Sequence, residues 1–203
     1  MTSHEQGIQI PVVRAIGNLV SGSDEETQVL ISLGVLNQFT TLLHHAKKPI
    51  QREVVWAISN ITAGTKEQIQ AVIDANLFPK LMKIISSQKD VELKREAFWT
   101  CSNALERGTS NQIRYLIDFG ILALFCDALT SSDQKTVLVV LEGLVSIFKD
   151  AEKNDSLEKI AAIIEGCDSV CKLTVLLEHS DKEIVDAALQ VLDFLKHKTE
   201  LKN

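Results

Sequence analysis

Aromatic residues and proline are scarce in this sequence. Aromatic side chains make up 5% of its 203 residues and there are three prolines, whereas hydrophobic residues make up 45%. A β-sandwich draws heavily on aromatic and β-branched residues, so this composition favours helices that pack on one another through Leu, Ile, Val and Ala. The length is sufficient for one domain with a sizeable buried interior.

An excess of positive charge is also lacking. The formal net charge is −6, and no cluster of Lys and Arg forms the basic face that a double-stranded nucleic acid requires. We therefore expect no nucleic-acid partner. The acidic balance is compatible with a basic partner.

Long hydrophobic runs are missing as well. The N-terminal sequence has no basic segment followed by an apolar one. The longest apolar stretch, residues 136–148, is too short to cross a bilayer and contains Glu142. These features predict a protein without a membrane partner that works in the cytoplasm or the nucleus.

The four cysteines do not have the spacing of a metal site. Cys167 and Cys171 are four residues apart, but the nearest histidines are His179 and His197, which does not give a zinc-binding pattern. Apolar helical sequence surrounds all the cysteines, so we expect buried, reduced thiols at Cys101, Cys126, Cys167 and Cys171. No metal and no cofactor are predicted.

Sequence signatures of catalysis are not found. There is no glycine-rich phosphate loop, no nucleophile elbow, and no arrangement of Ser, His and a carboxylate at useful spacing. The adjacent His44 and His45 are most simply explained as surface residues at the end of a helix. The sequence therefore predicts a binding module rather than an enzyme.

What the sequence does contain is an internal repeat. Similar five-residue segments, at intervals of 42, 43 and 43 residues, begin at Arg14, Trp56, Trp99 and Glu142. A second series with nearly the same period begins at Ile31, Ile73, Ile117 and Ile164. A period of about 40–47 residues with helical patterning is typical of armadillo and HEAT arrays.

Each repeat is predicted to consist of three helices. In the clearest repeat we expect helices over residues 66–75, 77–86 and 90–107. Asn76 is expected in a left-handed conformation, Asp90 as the N-cap of the third helix, and Gly108 at its end. A short first helix, a second helix and a long third one favour an armadillo unit over a two-helix HEAT unit.

The predicted fold class is all-α, an armadillo-repeat right-handed superhelical solenoid. We expect a single domain over residues 1–203, with a lone third helix at 8–21 and repeats at 24–64, 66–108, 110–152 and 154–197. The array begins in mid-repeat, which indicates a truncated piece or a short form of a longer solenoid. Its open N-terminal face has no visible polar cap and offers a surface for self-association through Ile8, Ile10, Val12 and Val13.

The third helices show the same two faces in every repeat. Helical spacing aligns apolar residues that we expect in the core: Val12, Ile16 and Leu19; Val54, Ile58 and Ile61; Ala97, Cys101 and Ala104; Val140, Leu144 and Ile147. The opposite face carries Arg14 and Asn18, Trp56 and Asn60, Trp99 and Asn103, and Glu142 and Ser146. These residue types are an odd choice for burial and fit the lining of a groove.

Two of these helices carry the same trio of residues on one face. The trio Glu53, Trp56 and Asn60 recurs 43 residues later as Glu96, Trp99 and Asn103. Asn amides can donate to and accept from the backbone of an extended peptide. Indoles can hold the methylene stems and cations of Lys or Arg, and carboxylates can accept from those cations. The trio predicts the binding of an extended basic peptide.

Each of these residue types also has an ordinary structural explanation. A tryptophan on a helix is more often part of the core, an asparagine can satisfy the end of a neighbouring helix, and a glutamate can be a solvated surface charge. Recurrence of the whole trio opposite the core face favours peptide binding. The alternative is a generic armadillo scaffold for protein–protein interaction without basic-peptide specificity.

The sequence resembles the importin alpha family over about residues 8–195. The resemblance is carried by residues 13–22 (VRAIGNLVSG), 56–64 (WAISNITAG), 70–77 (QAVIDANL) and 147–153 (IFKDAEK). An Arg in place of Trp, as at Arg14, is typical of this family's sixth repeat, so the chain resembles the C-terminal half, from the end of the sixth repeat to the tenth. This implies a nuclear-import adaptor that binds short Lys/Arg nuclear-localisation signals of cargo proteins in the family's minor site, without the major site of the second to fourth repeats.

The resemblance also implies roles for individual residues. The pairs of the family's sixth, seventh and eighth repeats correspond here to Arg14 and Asn18, to Trp56 and Asn60, and to Trp99 and Asn103. The resemblance also implies that Glu96 pairs with a bound Arg. It implies that the neighbouring lysine pocket is lined by Val20, Thr27 and Ser59. Importin beta and the export receptor are the implied partners of the full-length protein. The chain departs from the family at Ser146, where Asn is usual, and at residues 104–108, where a Thr-rich turn is usual.

Overall fold

The computed structural model describes the backbone of residues 6–200 and the side chains of residues 9–196. Within this range there are thirteen helices and no strand, so the all-α prediction is confirmed. The helices are α1 (Gln6–Leu19), α2 (Asp24–Ser32), α3 (Val35–Leu42), α4 (Lys48–Thr62), α5 (Lys66–Asp74), α6 (Phe78–Ser87), α7 (Val91–Arg107), α8 (Ser110–Asp118), α9 (Ile121–Ala128), α10 (Gln134–Lys153), α11 (Leu157–Glu165), α12 (Ser169–Leu176) and α13 (Lys182–Glu200). After α1, two short helices and one long helix follow each other four times.

The chain falls into two compact units. The first unit comprises Met1–Gln112 and the second Ile113–Asn203. In the first unit, the long helix α4 packs against α1 and against α7. In the second unit, α10 packs against α13. None of the described helices combines the length and the apolar composition that a membrane crossing requires.

The ends of the helices follow the local sequence. Asp90 caps α7, because its carboxylate accepts a hydrogen bond from the backbone N–H of Leu93 at 3.0 Å, and Gly108 follows the last residue of the helix. Asn76 adopts the left-handed conformation with φ of 54°, and Gly34 and Gly120 do so at the equivalent turns. The predicted helix boundaries of this repeat are therefore confirmed to within about two residues, the usual spread of such assignments.

Two buried glutamines link the first helices of consecutive repeats. Gln68 accepts from the N–H of Thr65 through Oε1 (3.1 Å), and Gln112 accepts from the N–H of Thr109 (2.9 Å). The amide NH₂ of Gln68 donates to the carbonyl of Asp24 (2.8 Å), and that of Gln112 to the carbonyl of Lys66 (2.9 Å). We call these paired contacts the glutamine ladder. It joins α2, α5 and α8 within residues 24–112.

The long helices bury the predicted faces with one exception. Three of the four predicted core faces are buried. They are formed by Val54, Ile58 and Ile61, by Ala97, Cys101 and Ala104, and by Val140, Leu144 and Ile147. On α1 the prediction is wrong: Leu19 is 52% exposed, whereas Val13 and Val20 are 1% and 3% exposed. Trp56 of α4 packs against Gly17, and the buried stripe of α1 therefore passes through Val13 and Gly17 instead of Leu19.

The position of the buried stripe on α1 also bears on the N-terminal apolar face that was predicted for self-association. Val13 is buried and cannot belong to an exposed apolar surface, while Ile10 and Val12 are half-buried. The side chain of Ile8 lies outside the described residues. Self-association through this face therefore stays a prediction with fewer residues to support it.

The prediction of four buried thiols within helices is partly wrong. Cys101 and Cys126 are buried, but Cys167 is half-buried and Cys171 is exposed. Cys167 lies in the turn between α11 and α12 and not in a helix. The apolar sequence around it belongs to α11, whose buried face ends before the turn.

Candidate groove on the first unit

An open cavity of about 340 Å³ lies on the first unit, on the faces of α1, α4 and α7 that point away from the core. We call it the groove. It is lined by Arg14, Asn18, Arg52, Glu53, Trp56, Glu92, Arg95 and Glu96. Five of these residues were predicted site residues. Glu53 and Trp56 are neighbours on one face because they are three residues apart on α4.

Three lining residues, Arg52, Glu92 and Arg95, were missed by sequence reasoning. A signal for two of them was present. Arg52 and Arg95 are 43 residues apart and each precedes one of the recurring glutamates. The groove thus has three acidic and three basic side chains in its wall.

Arg14 forms an ion pair with Glu53 across the groove. Its Nε lies 3.1 Å from both carboxylate oxygens of Glu53, and its terminal nitrogen contacts one of them. The hydrogen bond and the charge of Glu53 raise the pKa of Arg14 above its ordinary value. Glu53 was predicted to await the cation of a bound peptide, but its carboxylate already has a cationic partner from α1.

A second arginine is held at the wall of the groove. Arg52 donates to the carboxylate of Asp90 at 2.7 Å and also contacts Glu92. Burial by itself raises the pKa of Asp90, but the hydrogen bonds from Arg52 and the Leu93 N–H outweigh it and hold that pKa below the ordinary value. Arg52 therefore belongs to the junction of α4 with the start of α7.

Desolvation dominates the surroundings of Glu96. Burial raises its pKa above the ordinary value, and the attraction of Arg95 does not compensate, while Glu92 raises it further. The carboxylate is half-buried. A cation arriving in the groove would therefore find here a carboxylate that gains from an added positive partner.

The two indoles lie on the surface of the first unit and not in its core. Trp99 is 39% exposed, and Trp56 is half-buried. The ring of Trp56 covers Gly17 so closely that a Cβ atom at that position would lie 2.2 Å from its Cζ3. Gly17 is thus required for the position of this indole. Trp99 does not line the groove itself, although it lies three residues beyond Glu96 on α7.

The asparagines bridge neighbouring long helices. Asn60 donates from Nδ2 to the carbonyl of Gly17 (3.2 Å), and Asn103 donates from Nδ2 to the carbonyl of Ser59 (3.0 Å). This is the packing role that the sequence left open. One N–H of each amide is used, so the second N–H and the amide oxygen stay available for a ligand backbone.

The residues of the expected lysine pocket are buried. Val20, Thr27 and Ser59 are 3%, 3% and 7% exposed. The Thr27 hydroxyl donates to the carbonyl of Val20 (3.2 Å), and the Ser59 hydroxyl to that of Trp56 (2.8 Å). Their part in a pocket stays a prediction. Among the described residues there is also no group of three or more His, Cys, Asp or Glu that could hold a metal ion.

Comparison with known proteins identifies the repeat. The family model for the Armadillo/beta-catenin-like repeat matches residues 23–63 and 65–104. Importin subunit alpha-1b of Oryza sativa subsp. japonica is 39% identical over 192 residues, which cover 92% of this chain and 36% of that protein. Importin subunit alpha-3 of Arabidopsis thaliana is 39% identical over 195 residues, with the same two coverages of 92% and 36%. The chain spans about a third of the length of these relatives.

Solved structures agree with this assignment. A designed armadillo repeat protein in complex with the peptide (KR)4 superposes with a TM-score of 0.83 at 26% identity, over 95% of this chain and 77% of that one. A computationally designed armadillo repeat protein for modular peptide recognition gives a TM-score of 0.72 at 22% identity, over 95% of each chain. The armadillo fold predicted from the repeat period is thereby confirmed. The chain thus has the armadillo-repeat fold and is similar in sequence to the importin alpha subunits; proteins of these kinds are binding adaptors and scaffolds and not enzymes.

Proposed function

We propose that this chain binds extended Lys/Arg-containing peptides in the groove, and that it serves as the minor-site part of a nuclear-import adaptor. The observation that carries the proposal is the half-buried carboxylate of Glu96 in a groove that it shares with the indole of Trp56. A guanidinium or ammonium group placed there gains a charge-assisted hydrogen bond. Its methylene stem can lie along the indole, whose face attracts the cation.

The peptide backbone is expected to meet the asparagines. Asn60 and Asn103 use one N–H each to hold the neighbouring helix, and the second N–H together with Oδ1 can pair with a main-chain carbonyl and N–H. Such contacts fix an extended chain without selecting its side chains. Selection then comes from the glutamate and the indoles.

Arg14 determines where along the groove the basic side chains are placed. Its side chain is 62% exposed, and its guanidinium already neutralises Glu53. A peptide cation beside Arg14 would therefore meet a like charge, and the carboxylate of Glu53 would not be free to accept from it. We therefore expect Lys and Arg of the ligand at the Glu96 side. The comparison with the designed armadillo protein that binds (KR)4 supports the same ligand chemistry.

The cellular role follows from the relatives and is part of the proposal. The curated relatives are named importin alpha subunits, and an adaptor of this type works between the cytoplasm and the nucleus with basic cargo proteins as ligands. Importin beta and an export receptor are proposed as partners of a full-length protein of this family.

The experiment is a fluorescence anisotropy titration with a labelled peptide that contains a Lys-Arg cluster. We expect a dissociation constant in the micromolar range, which corresponds to about −7 to −8 kcal/mol. The same peptide with Lys and Arg replaced by Gln should not bind measurably. Added salt should weaken the binding, because the contacts at the groove are partly exposed.

Two pairs of variants assign the binding to the groove and to the indole of Trp99 beside it on α7. Glu96→Gln and Trp99→Ala should each weaken binding by about 1–3 kcal/mol. The matched controls on the same helix are Glu106→Gln and Val91→Ala, which remove an exposed charge and an exposed apolar side chain. Controls that weaken binding as much as Glu96→Gln and Trp99→Ala would refute the assignment.

A second candidate function is a protein-interaction scaffold without basic specificity. The hydrogen bonds of Asn60 and Asn103 to neighbouring helices favour it, because they give both asparagines a packing role. Equal binding of the Lys-Arg peptide and its Gln counterpart would support this scaffold and exclude the proposal above.

A further inference from the structure

The ion pair of Arg14 and Glu53 is asymmetric in its exposure. The side chain of Arg14 is 62% exposed, whereas that of Glu53 is only 14% exposed. Both side chains line the groove. A ligand that enters the groove at this end therefore meets the positive member of the pair first, and the carboxylate is shielded from it.

The hydrogen bonds of Arg14 use one edge of its guanidinium. Nε donates to both carboxylate oxygens of Glu53 at 3.1 Å, and Nη2 donates to Oε1. Within the described part of the chain, no hydrogen bond of Arg14 starts from Nη1. A guanidinium has five N–H donors in a planar fork. The edge formed by Nη1 and Nη2 can therefore hold a second carboxylate through two parallel hydrogen bonds.

The other arginine with resolved partners in the groove has both edges in use. Arg52 donates to the carboxylate of Asp90 from Nε (3.2 Å) and from Nη2 (2.7 Å), and its Nη1 contacts Glu92. Its side chain is also less exposed than that of Arg14, at 41%. A ligand anion would have to displace a carboxylate of the protein at Arg52, but not at Arg14.

The charges in the wall of the groove are balanced. Three glutamates and three arginines line it, namely Glu53, Glu92 and Glu96, and Arg14, Arg52 and Arg95. A ligand with positive charge along its whole length is best matched by a wall of one sign, which this groove does not have. Its acidic place for a cation is at Glu96 on α7, and its place for an anion is at Arg14 on α1.

We propose that the groove selects peptides of mixed charge, in which an Asp or Glu side chain binds the open edge of Arg14 while Lys or Arg binds at Glu96. The inference rests on the proposed function and specifies its ligand. In the first unit α4 packs against both α1 and α7. Packed helices lie about 8–10 Å apart, and an extended chain advances about 3.3–3.6 Å per residue. The acid is therefore expected about three to six residues from the basic cluster.

The test is a fluorescence anisotropy titration of the whole chain with three labelled peptides. They share one Lys-Arg cluster and differ only at two adjacent positions, about four and five residues from it, which carry Glu, Gln or Lys. A second set has these positions on the other side of the cluster, so that both directions of the bound chain are sampled. In one set the wild type should bind the Glu peptide most tightly and the Lys peptide least. Each step should be about two- to fivefold in the dissociation constant, as for a partly exposed ion pair.

Replacement of Arg14 should invert this order. Arg14→Gln removes the site for the anion and releases the carboxylate of Glu53, so the Lys peptide should become the tightest ligand and the Glu peptide the weakest. The matched control is Arg107→Gln, which removes an exposed arginine from α7 of the same unit and should keep the wild-type order.

A second variant tests the same edge in the opposite direction. Glu53→Gln removes the competing carboxylate and leaves both edges of the guanidinium to the ligand, so the preference for the Glu peptide over the Gln peptide should increase. This variant decides the question if Arg14→Gln does not fold.

The outcomes separate this inference from the proposed function. Equal binding of the three peptides in both sets, an unchanged order in Arg14→Gln, or an unchanged preference in Glu53→Gln would overturn the selection of mixed charge and leave the binding of Lys-Arg peptides intact. If none of the peptides binds, the proposed function is wrong and the inference that rests on it is wrong as well.

Discussion

Replacement of Gly17 by alanine should disable the groove without changing any group that lines it. A Cβ atom on this residue would lie 2.2 Å from Cζ3 and 2.7 Å from Cε3 of Trp56. Carbon atoms in contact are about 3.5–4.0 Å apart, so the indole must retreat by about 1.3 Å or more. Trp56 is half-buried and has solvent on one side. We therefore expect its ring to move outward while α1 keeps its place.

Two effects of opposite sign determine the stability of Gly17→Ala. Alanine is better than glycine in a helix by about 1 kcal/mol. Overpacking costs about 1–3 kcal/mol, and the mobile ring of Trp56 places this case near the lower end. Subtracting the helix benefit from the overpacking cost leaves a net loss of about 1 kcal/mol or less in the free energy of unfolding. Peptide affinity should fall by about 1–3 kcal/mol, as it does when a contact residue of this kind is removed.

A double-mutant cycle with Trp56→Ala isolates this clash. Urea unfolding and peptide titration are measured for the wild type, Gly17→Ala, Trp56→Ala and the double variant. Without the indole, Gly17→Ala has only its helix-forming benefit and should stabilise the protein by about 1 kcal/mol. A substitution that destabilises both backgrounds equally, or that leaves peptide affinity intact when Trp56 is present, would refute the reasoning.

Three further predictions concern single positions. Gly143→Ala should cost more stability than Gly17→Ala in urea unfolding, because its Cβ would lie 2.3 Å from Phe125, which is completely buried and cannot retreat into solvent. Glu96→Gln should slightly stabilise the protein at neutral pH while it weakens the peptide complex, because desolvation raises the pKa of the carboxyl group and so disfavours its charged form in the folded state. Asp90→Ala should cost about 1 kcal/mol in the same assay through the lost N-cap. Because the folded pKa of Asp90 is depressed, that difference should persist above its ordinary value of 3.8 and vanish as the pH falls through the folded pKa.

The pH dependence of peptide binding provides the control for Glu96. Its raised pKa means that acidification should protonate this group before an ordinary glutamate, so the affinity of the wild type should fall while that of Glu96→Gln changes less. Parallel pH profiles for the two proteins would contradict the role of Glu96. For Gly143→Ala and Asp90→Ala, unchanged unfolding curves would contradict the packing and capping arguments.

The repeat period made most of the fold predictable from the sequence. The N-cap at Asp90, the turn at Asn76 and the end at Gly108 are local signals, and each lies where it was expected. Local signals did not predict which stripe of α1 is buried. Its buried stripe depends on Trp56, which is 39 residues from Gly17 and whose contact no periodicity within α1 reveals.

The residue types that line the groove were predictable from the sequence, but the ion pairs between them were not. Helical spacing brought Glu53 and Trp56 to one face, as the structure has them. The ion pair of Glu53 with Arg14 connects two helices, and it depends on the stacking distance between them.

The glutamine ladder has a consequence for how the first unit unfolds. If the repeat before Gln68 or Gln112 were lost locally, the amide would exchange its carbonyl partner for water, which costs about 0.5–1.5 kcal/mol for each group. Fraying of one repeat is thus tied to its neighbour, whereas arrays with weak interfaces melt piece by piece. Backbone amides from α2 to the start of α8 should therefore exchange their hydrogens through a shared opening event.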